Sequence, residues 1–281
     1  FYPGDFVFTF YLLSISYHLG AFLMTIVSLA LTFRFLKTGR YNNLFWLFLT
    51  GLTGVVNDKL FVAMYILPLI SLSLFLFSVS LRKKIFLVFG NAVAVTLLGT
   101  LIYNGIKHSG YIHIISLSWK FMNFANIPAS FDTMISQHLT YLKSFDFRSL
   151  TIILSILSFV VTLFFAIKLL SRFFRDKQLP ESDIYPAIYL VFSVTFWIIV
   201  LATPVINGSY VGYAILRYNI YAIYLSLFNF GIIFHLLRRE SLPKLPGRVL
   251  TAVLVFLLVI PVIPGIRSFL NGELKKVTHY Y

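Results

Sequence analysis

Positions 44–81 carry only two formal charges, Asp58 and Lys59, and these sit side by side near the middle of the run. A helix crossing about 30 Å of hydrocarbon needs about 20 apolar residues. The run is too long for one crossing and has the length of two short ones, divided at Asn57-Asp58-Lys59. That division excludes an ordinary water-soluble core, which would interleave charged faces with apolar ones at every second or third residue.

The same ruler marks apolar segments along the whole chain: residues 6–35, 44–56, 60–81, 85–106, 150–170, 184–203, 216–237 and 249–266. The segment 44–56 is short, and 249–266 is interrupted by Pro261 and Pro264. The fold class expected is therefore all-α, a polytopic transmembrane helix bundle of about eight spans forming a single domain over 1–281. Composition agrees: 59% of residues are hydrophobic, 11% are charged, and the mean hydropathy is +0.89. No soluble protein of 281 residues could cover such a surface with polar groups.

The connectors alternate in charge. One set holds Arg34, Lys37 and Arg40; Arg82, Lys83 and Lys84; Lys168, Arg172, Arg175 and Lys177; and Arg238, Arg239, Lys244 and Arg248, which is 14 of the 23 basic residues. The positive-inside rule makes this side cytoplasmic, with connectors at 36–43, 82–84, 171–183 and 238–248. The alternation requires a crossing between Arg40 and Asn57, so the short segment 44–56 counts as a span. The net charge of +14 then reflects loops beside an anionic leaflet, with no nucleic-acid partner implied. The absence of cysteine excludes disulfides and thiolate chemistry. The chain opens FYPGDF, without Met or a signal-peptide pattern, and is expected to continue a longer N-terminal sequence.

The outer segment 107–149 is too polar to span. Ile112, Ile115, Trp119 and Met122 recur at helical spacing, and Phe131, Ile135, Leu139 and Leu142 do so after Pro128. Two short amphipathic helices at the membrane surface are expected, equally able to act as a cap on the span ends.

Ionisable side chains at membrane depth are costly and face a cavity or a partner. With this topology His18, the Asn57-Asp58-Lys59 triplet and Arg217 fall near one outer level, with Asn207, Tyr210 and Tyr213 just before Arg217. Each has an ordinary structural use. Asp58 can cap the following helix while Lys59 snorkels, Arg217 can anchor at the interface, and His18 can hydrogen-bond between helices. The histidines show no metal-ligand spacing, and the Asn207-Gly208-Ser209 sequon is unspecific. Taken together, a carboxylate could act as general base on an acceptor, and Arg and Lys could hold a phosphate leaving group.

The many spans, the basic loops, the amphipathic outer loop and the Arg217-Tyr218 pair opening a late aromatic-rich span resemble the GT-C type glycosyltransferases. NDKLFVAMYILP is similar to an Asp-basic-Leu-Phe pattern with a late Pro in bacterial membrane proteins of this kind. The resemblance covers the architecture and these two short patterns. It implies transfer of a sugar from a polyprenyl-phosphate donor at the outer face of a bacterial plasma membrane, in cell-envelope assembly, with membrane lipid and the lipid-linked sugar as partners and no cofactor. Asp58, or alternatively Asp5, would be the catalytic carboxylate. Lys59, Arg217, His18, Asn57 and Tyr218 would contact substrate or phosphate. One departure stands out: the family's acidic residue lies in its first outer loop, which here precedes Phe1 or survives only around Asp5. A transporter or flippase, with short or Pro-interrupted spans lining a path, and a non-catalytic assembly subunit are the alternative readings.

Overall fold

The computed structural model describes residues 19–109, 123–143, 147–176, 179–207, 225, 228–233 and 235–236, and among these it is helical throughout, with no strand. The elements are α1 (Leu19–Thr38), α2 (Tyr41–Asn57), a broken segment containing a π turn (Val62–Ile66) and a 3-10 run (Pro68–Phe75), α3 (Val79–Ser109), a 3-10 turn (Phe124–Asn126), α4 (Ile127–Lys143), α5 (Phe147–Asp176) and α6 (Glu181–Ile206). The expected segments 216–237 and 249–266 lie mostly or wholly outside the described residues, as does the first of the two amphipathic helices.

Among the described residues, four helices have the length and hydropathy to cross a membrane: Gly20–Thr38, Val79–Ser109, Ser155–Asp176 and Glu181–Ile206. Their exposed faces make the same point. On α3 Phe86, Val93, Leu97 and Leu101 point outward, and on α5 Ile153, Ile156, Leu157, Val160, Phe164 and Ile167 do. Continuous apolar stripes of this length are stable against lipid and not against water. The protein is an integral membrane protein.

The described residues fall into two compact units, one drawn from 19–109 and 162–203, the other from 123–161 and 204–236, with α5 and α6 contributing to both. In the first unit α6 is central: 56% of its apolar window is buried, against 28% for α3. Its residues Tyr189, Phe192, Ser193, Phe196 and Val200 are buried together with Phe165, Leu169 and Phe173 of α5. Aromatic rings join the elements, with Tyr65 against Phe192, Phe33 against Tyr189, and Phe75 against Phe173 at 5.3 Å between centroids.

The α1–α2 turn is only two residues long. Gly39 takes φ +69, the left-handed conformation that lets its N–H reach back to the Phe35 carbonyl at 2.7 Å. A side chain there would be strained. The Lys84 ammonium donates to the Leu36 carbonyl at 2.6 Å, neutralising the negative end of α1. Asn43, buried, donates to Thr38 Oγ1, which itself donates to the Arg34 carbonyl.

Parallel helices α2 and α3 then pack through small residues. The Val95 side chain lies over Gly51, and Val55 lies over Gly99. The Asn91 amide donates to the Leu44 carbonyl at 3.1 Å. Lipid tails are as apolar as Val, so this association rests on close packing and hydrogen bonds.

The expected span 60–81 is not one α-helix. Pro68 has no N–H to offer the Met64 carbonyl, and the pattern changes around it. The Leu67 N–H reaches five residues back to Val62, and the Ile70 N–H only three back to Leu67. The eight 3-10 residues Pro68–Phe75 cover roughly 16 Å where α-helix would cover roughly 12 Å, which extends the reach of a short apolar segment. The bend at Leu76–Ser78 comes earlier than expected, and Ser78 accepts the N–H groups of Leu81 and Arg82 through its carbonyl. Arg82, Lys83 and Lys84 are therefore in the first turns of α3 and not in a connector. The connector expected at 171–183 also shrinks, because α5 runs to Asp176 and α6 starts at Glu181. Asp183 is buried and faces Arg172 at 3.5 Å, where a solvated loop had been expected.

In the second unit the amphipathic helix expected after Pro128 is present as α4. Its Phe131, Ile135 and Leu139 are exposed, whereas Ile127 and Met134 pack on Val205 at the end of α6. The Asn123 N–H donates to the Ile206 carbonyl at 3.0 Å. One set of apolar side chains is thus exposed, and the other holds the helix to the end of α6.

Gly99 and Gly90 give a paired test on α3. A Cβ at Gly99 would meet Val55 Cγ1 at 2.7 Å, and one at Gly90 would meet nothing within 4 Å. Gly99→Ala is expected to destabilise by about 1–3 kcal/mol through overpacking. Gly90→Ala is expected to be neutral or to stabilise by up to about 1 kcal/mol through helix propensity. Thermal unfolding of the two variants in detergent, followed side by side, checks the difference.

Candidate functional site

The Asn57-Asp58-Lys59 turn is built from two helix ends that share one residue. The Asp58 N–H donates to the Gly54 carbonyl at 2.9 Å and closes α2, and its extended backbone (φ −154, ψ 115) redirects the chain. Its side chain then serves the next segment: Oδ1 accepts the Leu60 N–H at 2.9 Å, and its carbonyl accepts the Phe61 N–H at 3.0 Å. Asp58 is thus the C-cap of one helix and the N-cap of the next, where a carboxylate also complements the helix dipole.

The turn is tight because Phe61 folds back onto Gly54. A Cβ at that glycine would meet the ring at 2.7 Å. Phe61 is fully buried, whereas Asp58 is half-buried and Asn57 and Lys59 are exposed. The Lys59 ammonium lies 4.5 Å from the centre of the Tyr103 ring, so the cation is held on the C-terminal part of α3. Lys107 stands one turn beyond Tyr103, exposed, and the next residue, His108, has Nδ1 2.7 Å from the Asn104 carbonyl oxygen. A carboxylate, an ammonium and a phenol ring are therefore fixed at one end of the first unit, with a second ammonium at the same end of α3. In chemical terms the set offers one base or hydrogen-bond acceptor and two cations able to meet a phosphate.

Of the residues singled out in the sequence, Asn57, Asp58 and Lys59 are described, whereas Asp5, His18, Arg217 and Tyr218 lie outside the described residues, with Tyr210 and Tyr213. Asn207 directly follows α6. Among the described residues no group of three or more His, Asp and Glu side chains gathers as a metal site.

Sequence reasoning missed a second polar feature inside the same unit. Thr25, Ser28 and Thr32 are all buried on one face of α1, and Thr32 Oγ1 lies 2.6 Å from the Tyr65 hydroxyl of the π turn. Thr32 already donates its single hydroxyl proton to the Ser28 carbonyl, so Tyr65 is the donor in this contact. Among the described residues Ser28 Oγ is buried without a partner, and α6 adds the buried Tyr189 and Ser193. The signal in the sequence was the spacing of 25, 28 and 32, one helix face apart from its apolar neighbours.

Comparison of the chain with protein-family models, with curated proteins and with solved structures finds no match.

Capping and chemistry separate at Asp58. Asp58→Ala is expected to cost about 1 kcal/mol of stability by losing the cap, and Asp58→Asn almost nothing, because Asn caps as well as Asp. A thermal-shift comparison of the two variants reads this directly.

Proposed function

We propose that the chain is a glycosyltransferase-type membrane enzyme that moves a sugar from a polyprenyl-phosphate donor at the outer face of a bacterial plasma membrane, in cell-envelope glycan or lipid modification. The observation that carries the reading is the Asp58–Lys59 turn. A carboxylate and an ammonium on consecutive residues at one end of the first unit are each held by a defined contact. In this reading Asp58, or Asp5 in its place, takes the proton from the acceptor. Lys59 and Arg217 hold the phosphate as negative charge develops on the leaving group, and His18, Asn57 and Tyr218 contact donor or acceptor. About eight crossings with the basic loops cytoplasmic complete the proposal.

A second reading has its own support. The π turn, the 3-10 run and the buried hydroxyls of Ser28, Thr32 and Tyr65 make a broken, polar-lined segment of the kind transporters use near mid-membrane. Tyr65→Phe and Thr32→Val would impair a transporter and leave sugar transfer unaffected.

Asp58→Asn is the decisive variant, because it keeps the cap and removes the base. Transfer from a polyprenyl-phosphate sugar is expected to fall ~10²–10⁴-fold with the melting temperature unchanged. Transfer within twofold of wild type would remove Asp58 from the chemistry.

Topology is open to test because the chain has no cysteine of its own. Asn57→Cys is expected to react with a membrane-impermeant maleimide from the outside of intact cells, and Arg40→Cys only after the inner face is exposed. Labelling of both from one face would rule out a crossing by α2.

A further inference from the structure

We infer that the first turns of α3 carry a binding site for the phosphate headgroup of an anionic phospholipid. An open pocket of about 460 Å³ is lined there by Val79, Arg82, Lys83, Phe86 and Leu87. The three adjacent cations of this stretch have different fates. Lys84 is taken up by the carbonyls at the end of α1. Arg82 and Lys83 are exposed, and among the described residues neither meets a carboxylate or any hydrogen-bond acceptor.

Their setting makes an external anion the natural complement. They sit on the positive end of a long helix that has no acidic residue in its first turn, so the dipole adds to their mutual repulsion. Negative charge at this point relieves both.

The surroundings decide what kind of anion it is. Phe77 is 76% exposed, Val79 80% and Phe86 57%, the first of these ring-to-ring with Phe174. Large apolar side chains flanking two cations in an open, shallow site match a molecule with a phosphate at one end and acyl chains beside it. A free phosphate ion would leave these surfaces in water. A lipid headgroup with its chains along α3 satisfies the charges and covers the rings, with the Arg82 guanidinium able to hold two phosphate oxygens at once.

The length of α3 is compatible. Its 31 residues extend about 46 Å, more than the roughly 30 Å hydrocarbon layer, so its first turns reach headgroup level when its middle is centred in the bilayer.

The test uses the whole purified protein in neutral detergent, titrated with phosphatidylglycerol, phosphatidylcholine or inorganic phosphate, with melting temperature and lipid retention in native mass spectrometry as readouts. Phosphatidylglycerol is expected to raise the melting temperature and remain bound, while phosphatidylcholine and inorganic phosphate do neither. Arg82→Gln with Lys83→Gln is expected to weaken phosphatidylglycerol retention about tenfold, whereas Arg40→Gln, a basic residue of the α1–α2 turn, leaves it unchanged. Should the double variant fold poorly, Lys83→Gln alone is expected to give a partial loss. The site is overturned if the double variant (or, in its place, Lys83→Gln) retains phosphatidylglycerol like wild type, if Arg40→Gln weakens retention equally, or if inorganic phosphate stabilises as well as the lipid.

Discussion

A backbone group inside a bilayer has no water to fall back on, and the whole first unit is arranged around one place where that rule is strained. Pro68 removes an N–H in the middle of an apolar segment, and the chain answers by widening before it and tightening after it. Such a backbone is tolerated only against protein. Accordingly Phe61, Ala63, Met64, Tyr65, Leu69, Leu72 and Phe75 are all buried, and the rings of α5 and α6 close over Tyr65 and Phe75. The Thr32 contact gives the Tyr65 hydroxyl a partner in a region where an unpaired hydroxyl would cost several kcal/mol.

The helices beside this segment are held by shape more than by apolar area. In lipid, moving Val55 from an acyl chain to the surface of α3 changes its solvent very little. What is gained is the fit of Val55 over Gly99 and of Val95 over Gly51, together with the Asn91–Leu44 hydrogen bond. The close approach of α2 and α3 in turn brings Lys59 to Tyr103 at one end, and the Gly39 turn brings the end of α1 within reach of Lys84 at the other.

Much of this was legible from residue types alone. The lengths of the apolar runs and the charged interruption at Asp58 and Lys59 mark where α2 ends, and the periodicity after Pro128 marks α4. Hydropathy could not show the break at Pro68, since a 3-10 run and an α-helix of the same residues have the same composition. Nor could charge counting separate Lys84 from Arg82 and Lys83. The three read as one basic cluster, yet one of them is a cap on another helix and the bend comes before all three. The hydroxyls of Thr25, Ser28 and Thr32 were hidden for a related reason. The two threonines satisfy themselves on their own helix, Thr25 on the Ala21 carbonyl and Thr32 on the Ser28 carbonyl, and so look apolar in a span.

The turn at Asp58 shows why a charged residue at a span end is ambiguous as a functional sign. A helix N-terminus wants a carboxylate whether or not chemistry occurs there, and the geometry that satisfies the cap also fixes that carboxylate in place. Positioning is what a general base needs most, so the structural use does not compete with a chemical one and instead prepares it. Lys59 is different. A turn does not require a cation, and an exposed lysine at a membrane interface has water and headgroups available to it. Its placement over Tyr103 limits that freedom and holds the ammonium near the C-terminal part of α3. A turn serving connection alone needs only the cap, and the cation held over Tyr103 is the feature of this end that capping does not explain.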